Sequence, residues 1–331
     1  MDALKFNLQW FGTNKTTDSG LSDEMKTYYE KRLIDLAEPK LVHNQFGDKY
    51  PIPRNGGKTI EFRKFTPLAK AMTPISEGVT PVGNQLNVTA ITAEISQYGD
   101  YIETSDILDL TAIDKIIVEE TKLLGSQAGR TLDSITRDVL AGGTNVIYAG
   151  DRASRAALTT ADTLVPDLFN QAATLLAAQN ADEIDDSFVA IIHPYAKYDL
   201  ISSSAWIDVH KYADPTAIYE GEIGKLGNVR FVESTEAKIW KDSTCPVDGS
   251  GNPLAVFSTL VLGAHAYGVT ELEGGGLEHI VKPLGSGGTT DPLNQRATVG
   301  WKATAVAERL VEQYMVRIES LSSYSSKAAA N

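Results

Sequence analysis

The chain has 331 residues, 42% hydrophobic and 22% charged, which is enough apolar material for a sizeable core and excludes a disordered tail protein. Thirty basic against 43 acidic residues give a formal charge of -13, which opposes tight binding to a phosphate backbone. A single cysteine, Cys245, excludes an intrachain disulfide and a thiolate-rich metal site, and no apolar run reaches the about 18 residues of a membrane span.

Residues 1–20 read as an arm: Leu4, Phe6, Leu8 and Trp10 alternate, and polar TNKTTDSG follows. Asn7 and Gln9 interrupt the apolar strip and no small-residue cleavage site follows closely, so secretion is not expected and a cytoplasmic folding compartment fits. Ser22 caps a helix in which Met25, Tyr28, Tyr29, Leu33 and Leu36 recur at helical spacing, and Pro39 stops it.

Asn55-Gly56-Gly57 is a turn signal, and Ile60 and Phe62 alternate with Thr59, Glu61 and Arg63 as a strand. Pro67, Pro74, Gly78, Pro81 and Gly83 then forbid a helix. Leu86, Val88 and Ala90 resume alternation, and the phase slips into Ile91, Ala93 and Ile95, which predicts a bulge or burial on both faces. Two strands around a long irregular tip make an extended hairpin standing away from its own core. Such a hairpin is poorly stable alone and needs something to lie against.

Residues 113–140 carry the strongest helical signal. Ile113, Ile116, Ile117, Leu123, Leu124, Ala128, Leu132, Ile135 and Val139 form one stripe, with Glu119, Glu120, Lys122, Arg130, Asp133 and Arg137 mostly off it. The rod would be roughly 40 Å long. Gly125 and Gly129 predict close packing or a bend at its middle, and Gly142-Gly143 ends it.

From about 160 to 285 the pattern is α/β. A helix at Leu164–Gln179 precedes an apolar strand at Phe188–Ile192, closed by His193-Pro194, and a second helix covers Tyr195–Ser202. GEIGKLG leads into a strand in VRFVES, and LAVFSTLVLGAHAYGVTEL supplies at least one more. Gly274–Gly276 and Gly285–Thr290 are loops. RATVGWKATAVAERLVEQYMVRIES returns to the core as a long strand or strand pair, and the last SLSSYSSKAAAN is expected to fray. There are no internal repeats.

GEIGKLG, residues 221–227, is the stretch closest to a phosphate loop. It lacks the four-residue gap and the hydroxyl residue of a P-loop, its spacing is not GxGxxG, and a strand follows where a nucleotide site requires a helix. Turn glycines before a strand are the plainer reading. His43, His193, His210, His265 and His279 show no metal-ligand spacing, and His193 is read as shaping a strand-to-helix turn. Cys245 sits in a polar turn without a nearby histidine, as an incidental thiol. Glu119-Glu120 and Asp185-Asp186 are read as solvated charge, and Asp106, Asp109 and Asp114 as caps of the helix beginning near Ile113. No catalytic, cofactor-binding or metal-ligating residue is assigned.

LSDEMKTYYEKRLIDLAEP, PIPRNGGKTIEFRKFTPL, EGVTP, QYGDYIETSDILDLTAID, GSQAGRTLDSITRDVL, IIHPYAKYDL, GEIGKLGNVRFVEST and QRATVGWKATAVAERL…MVRIE together resemble the N4-gp56 family of tailed-phage major capsid proteins, in register over nearly the whole chain. The resemblance implies an α+β, HK97-like capsid fold. Residues 1–50 would be an N-terminal arm, and 51–105 an extended β-hairpin loop lying over an adjacent subunit. Residues 106–150 and 286–331 would be a peripheral domain with a long spine helix, and 151–285 an α/β axial domain.

The implied function is a major capsid protein, not an enzyme and without cofactors, self-assembling into hexamers and pentamers of an icosahedral shell around double-stranded DNA. Scaffolding, portal and decoration proteins are further partners of such shells; DNA is enclosed without sequence-specific binding, and no membrane is involved. The location would be the virion, after assembly in the host bacterial cytoplasm. An acidic wall lets packaged DNA slide without sticking. Lys64 and Lys70 on the loop are read as solvated, and no isopeptide crosslink is expected. Two other readings stay open: an encapsulin-like compartment shell, and an α/β enzyme at the Gly-rich loops.

Overall fold

The computed structural model describes residues 41–331, apart from 54–56, 66–67, 69, 75–76, 79, 81–82, 112–115, 204–205, 207–221, 271–272, 274 and 289–290. The apolar strip of residues 1–20, the helix expected after Ser22, Asp114, His210 and Gly221 lie outside the described residues. In chain order, β1 (Asp48–Lys49), β2 (Thr59–Phe65), β3 (Val88–Glu94) and β4 (Ser96–Ser105) lead into helices α1 (Asp106–Thr111) and α2 (Ile116–Ala141). There follow β5 (Val146–Tyr148), α3 (Pro166–Ala178), β6 (Phe188–Ile192), α4 (Pro194–Ser202), β7 (Glu222–Leu226), β8 (Val229–Glu233) and β9 (Ile239–Trp240). Then come β10 (Val256–Leu262), β11 (Tyr267–Thr270), β12 (Glu278–Lys282), β13 (Arg296–Arg309) and β14 (Met315–Ser320).

The described residues fall into two compact units. The larger comprises Leu41–Gln97, Arg130–Gly276 and Thr304–Asn331. Its centre is a sheet in the order β5-β14-β10-β6-β8-β7, with β9 also on β10. Strands β6, β10 and β14 are buried along their whole length, and FVAII and VFSTLVL carry the near-continuous apolar runs that two covered faces require. Helix α3 starts with Pro166, whose missing N–H costs nothing at a first turn, and buries Leu168, Phe169, Ala172 and Leu176. The Phe169 ring meets Phe231 of β8 edge-on at 4.7 Å. The helices and strands expected at 164–179, 188–192, 195–202 and within VRFVES are present, each boundary within two residues of the expected one, but the described part of GEIGKLG, expected as turn glycines, is mostly strand β7.

The expected fraying of the last residues does not occur. Leu321 is fully buried, the Ser322 hydroxyl donates to Tyr195 O at 2.8 Å, and Ala255 N–H donates to Ser326 O at 2.9 Å. Lys241 Nζ donates to the carbonyls of Lys327 and Ala328, and Asn331 Oδ1 accepts from Ile239 N–H at 2.9 Å. Side chains that satisfy a segment's own backbone groups hold it despite its small, polar composition.

The smaller unit comprises Tyr98–Gly129 and Leu277–Ala303. Here β13 pairs with β12 from Glu278↔Lys302 to Lys282↔Thr298, and also with β4.

Helix α2 and strand β13 each have residues in both units. The 26 residues of α2 span about 39 Å and run unbroken through Gly125 and Gly129, both buried. Its buried positions recur in pairs every four residues, from Glu120 and Thr121 to Leu140 and Ala141. Four residues advance 400° on a helix of 3.6 residues per turn, so the buried stripe turns about 40° per step instead of running straight. This corrects the expected stripe. Leu123 is 66% exposed and Ile135 and Val139 only half-buried, whereas Glu120, Asp133 and Arg137 are buried because each has a polar partner.

Candidate functional site

Strands β2 and β3 pair antiparallel without a register shift, from Thr59↔Glu94 to Phe65↔Val88, and form a sheet of their own. The apolar phase slip is therefore neither a bulge nor burial on both faces. Ile60, Phe62, Ile91 and Ala93 share the inner face by register, with Ala93 buried. There the Phe62 ring meets Tyr50 edge-on at 5.2 Å, above Gly268, where a Cβ would lie 3.3 Å from Tyr50 and 3.4 Å from Phe62. The base of the hairpin thus rests on its own unit, contrary to a hairpin standing wholly clear. Val88 and Ala90 lie on the outer face, and Leu86 continues their spacing while 64% exposed. Every described residue from Leu68 to Ala90 is exposed. The phase of Leu86, Val88 and Ala90 is thus an apolar row that the described chain leaves in solvent, where association would gain roughly 25 cal/mol per Å² buried.

The three-stranded part of the smaller unit has two unlike faces. On one, Gln127 of α2 donates to Asp100 Oδ2 at 2.6 Å and accepts from Trp301 Nε1 at 3.2 Å, while the Thr104 hydroxyl donates to Glu120. On the other lie Tyr101 of β4, Gly300 of β13 and Ile280 of β12, which is paired directly opposite Gly300. A Cβ at Gly300 would sit 2.8 Å from Tyr101 Cβ, so only glycine allows this approach. Tyr101 is 65% and Ile280 38% exposed. Ion pairs Lys302–Glu278 at 3.0 Å and Arg296–Glu103 at 3.1 Å flank the row.

The segment before the hairpin is anchored to α2. His43 N–H donates to Asp133 Oδ1 and His43 Nδ1 meets Asp133 Oδ2, both at 2.7 Å, with both residues fully buried. The Tyr267 hydroxyl donates to His43 O, and burial, with the Asp133 charge adding, holds that hydroxyl's pKa well above the usual phenol value. A Cβ at Gly47 would sit 2.5 Å from the Tyr267 ring, so the chain turns into β1 at a glycine.

The residues weighed for chemistry are dispersed. The described part of GEIGKLG is strand β7, antiparallel to β8, with Gly227 at φ 56° in the turn; Lys225 Nζ donates to Asp186 O at 3.1 Å. His193 caps α4, its Nδ1 accepting from Tyr195 N–H at 3.1 Å, and burial lowers its pKa to about 4. His265 Nδ1 meets Asp48 Oδ2 at 2.8 Å, and burial lowers the pKa of His279 on β12. Cys245 is buried, which raises its thiol pKa, so it lies in the core beneath its polar turn.

Glu119 is exposed and pairs with Lys122, but Glu120 is buried against Thr104, which corrects its reading as solvated. Asp106 opens the separate helix α1, and the cap there is Ser105, whose Oγ accepts from Leu108 N–H at 3.4 Å. Among the described residues no group of three or more His, Cys, Asp and Glu is placed to hold a metal ion, and no helix is long and apolar enough to cross a membrane.

A long helix shared by two units, a sheet-centred larger unit and a hairpin with an uncovered apolar row define an HK97-like capsid fold. A family model for phage capsid protein matches residues 106–283, more than half of the chain, and the chain belongs to that family. The fold is similar to the capsid of Ralstonia phage GP4, with a TM-score of 0.66 at 16% identity over 85% of this chain and 88% of that one. It is also similar to the capsid of the cyanophage P-SCSP1u, with a TM-score of 0.63 at 16% identity over 86% and 89%. The holo-SrpI encapsulin complex of Synechococcus elongatus PCC 7942 matches with a TM-score of 0.54 at 8% identity over 87% and 89%, a weaker likeness that does not favour the encapsulin reading. No curated protein matches the sequence.

Proposed function

We propose that this virion protein is a major capsid protein that assembles, with no catalytic role, into hexamers and pentamers of an icosahedral shell around double-stranded DNA. The observation that carries the reading is the outer face of β3, with Leu86 and Val88 exposed in a hairpin whose inner face already has its own covering. A soluble monomer gains nothing from a second apolar row; a subunit among siblings gains a contact at every copy, and many modest contacts close a shell. The charge of -13 supports DNA that is enclosed and not gripped.

The quoted motifs support placement in the N4-gp56 group. On that reading residues 1–50 act as the arm, 51–105 as the extended loop, 106–150 and 286–331 as the peripheral domain and 151–285 as the axial domain. Assembly takes place in the host bacterial cytoplasm, with scaffolding, portal and decoration proteins as the shell's further partners. Negative-stain microscopy of the purified chain tests the reading. Particles tens of nanometres wide with hexameric faces are expected, and V88D is expected to stay folded by circular dichroism yet form none. A monodisperse monomer or dimer from the unsubstituted chain under assembly conditions overturns it.

A further inference from the structure

We infer that the larger unit binds a small monatomic anion, chloride, between Trp240, Ser258 and Arg317, a site that stands apart from the assembly reading. Register brings these residues to one face of three adjacent strands. Trp240 of β9 lies directly opposite Val256 of β10, and Glu319 of β14 lies directly opposite Ser258. Alternation along the strands then puts Trp240, Ser258, Arg317 and Glu319 on the same side of the sheet. Lys238 flanks Ser258 from the β9 side, its carbonyl accepting from Ser258 N–H at 2.9 Å.

Three cations crowd this face. Arg155 Cζ lies 4.1 Å, Lys238 Nζ 5.3 Å and Arg317 Cζ 5.8 Å from the centre of the Trp240 ring. Their side chains are 13%, 16% and 10% exposed, and the carboxylate they face, Glu319, is fully buried. Arg155 engages both Glu319 oxygens, whereas Arg317 Nη1 donates to the neutral carbonyls of Ala141 and Gly143. Asp138 pairs with Lys238 at 3.1 Å, but it is half exposed and shared with Arg137. Asp242 acts on Arg155 only from the exposed rim. Burial lowers the pKa of Arg317, with Glu319 opposing. A buried excess of positive charge is costly unless an anion accompanies it.

The orphaned donors define the occupant. Ser258 is 1% exposed, and neither its Oγ nor the buried Nε1 of Trp240 has a hydrogen-bond partner among the described residues. Arg317 Nε lies 2.8 Å from Glu319 Oε1, yet its N–H is not aligned with that oxygen and finds no other acceptor among the described residues. Indole and guanidinium N–H groups only donate, and the serine hydroxyl can donate too. Three donors on one face call for an occupant that accepts three bonds. A water has two lone pairs and adds two hydrogens of its own, whereas a halide only accepts. The orphaned atoms are also sealed from solvent, which suits a single atom better than a phosphate.

The test follows thermal unfolding of the unsubstituted full chain as sodium chloride replaces sodium gluconate at constant ionic strength. A ligand bound by the folded state alone raises the midpoint, here by about 2 °C per tenfold rise in chloride above its Kd. Bromide is expected to act alike. Trp240→Phe keeps an aromatic ring for the cations and removes the indole donor, and Ser258→Ala removes the hydroxyl. Both variants are expected to lose most of the chloride response. Equal midpoints in chloride and gluconate, or a response undiminished in both variants, overturn the site.

If neither variant folds, bromide-soaked crystals of the unsubstituted chain decide. An anomalous peak within hydrogen-bond reach of Trp240 Nε1 is expected, and its absence overturns the site. The capsid reading is tested separately, by particle formation, and survives either result.

Discussion

His43 and Asp133, 90 residues apart, meet as a fully buried pair in which both carboxylate oxygens are used, one by the His43 ring and one by its backbone N–H. The pair fixes the segment entering the hairpin to the middle of α2. Removing the carboxylate leaves a buried imidazole and a buried N–H without an acceptor, and breaking such a pair costs about 3–5 kcal/mol. Asp133→Ala is therefore expected to lower the denaturant midpoint of the larger unit strongly. A midpoint within error of the unsubstituted chain counts against the anchor.

His193 gives a pH dependence of known sign. Its pKa in the folded protein is about 4, lowered by burial against Tyr195 and Phe257, whereas the unfolded side chain titrates near 6.5. Between those values the unfolded chain binds more protons, so stability is fully present above the unfolded pKa and is lost as pH falls towards the folded one. His193→Asn keeps a side-chain acceptor for Tyr195 N–H and removes the titration. Its urea midpoint is expected to fall less between pH 7 and pH 4 than that of the unsubstituted chain, and parallel pH profiles would remove His193 as a cause.

Much of the larger unit was legible because its central strands are covered on both faces and so read as apolar runs, as in Phe188–Ile192. The hairpin strands were legible too, and the phase slip at Ala90 and Ile91 was visible, but its cause was not. Two apolar faces, one covered and one exposed, leave the same local pattern as a bulge. The buried charges of α2 were misread as solvent-facing because their partners are remote: Thr104 is 16 residues from Glu120, and Glu236 O is 99 residues from the Arg137 Nη1 that donates to it at 2.8 Å. The close approach of Tyr101 to Gly300, opposite Ile280, draws one residue from each of three strands and has no local motif. A glycine inside a strand was its one available signal.

The last segment supplies a sharper check. Deleting residues 322–331 removes the acceptors of Lys238, Lys241, Ile239 and Ala255 and the donors to Tyr195 O and Asp199. Each of these bonds contributes about 1 kcal/mol net, so a lowered midpoint is expected in thermal or urea unfolding. A frayed tail would leave the midpoint unchanged, and amide exchange would then show Ala255 as unprotected as a loop.

Glu319 is the most demanding single position. It is fully buried, accepts from Arg155 Nε and Nη2 at 2.7 Å each, and lies 2.8 Å from Arg317 Nε. Arg317 in turn donates Nη1 to Ala141 O and to Gly143 O, the latter at 2.9 Å, so it satisfies carbonyls that the end of α2 leaves open. Arg155 also stacks 4.1 Å above the Trp240 ring, which holds its guanidinium in place for the carboxylate. Glu319→Gln keeps the shape but removes the charge that two arginines share, and an uncompensated buried cation costs about 3–5 kcal/mol. Arg155→Met leaves Arg317 beside Glu319 and replaces a side chain that is itself 13% exposed, so its loss is expected to be the smaller. Urea midpoints of the two variants check the order. A smaller loss for Glu319→Gln than for Arg155→Met would mean that packing of the arginine stem over Trp240, and not the shared carboxylate, stabilises this corner.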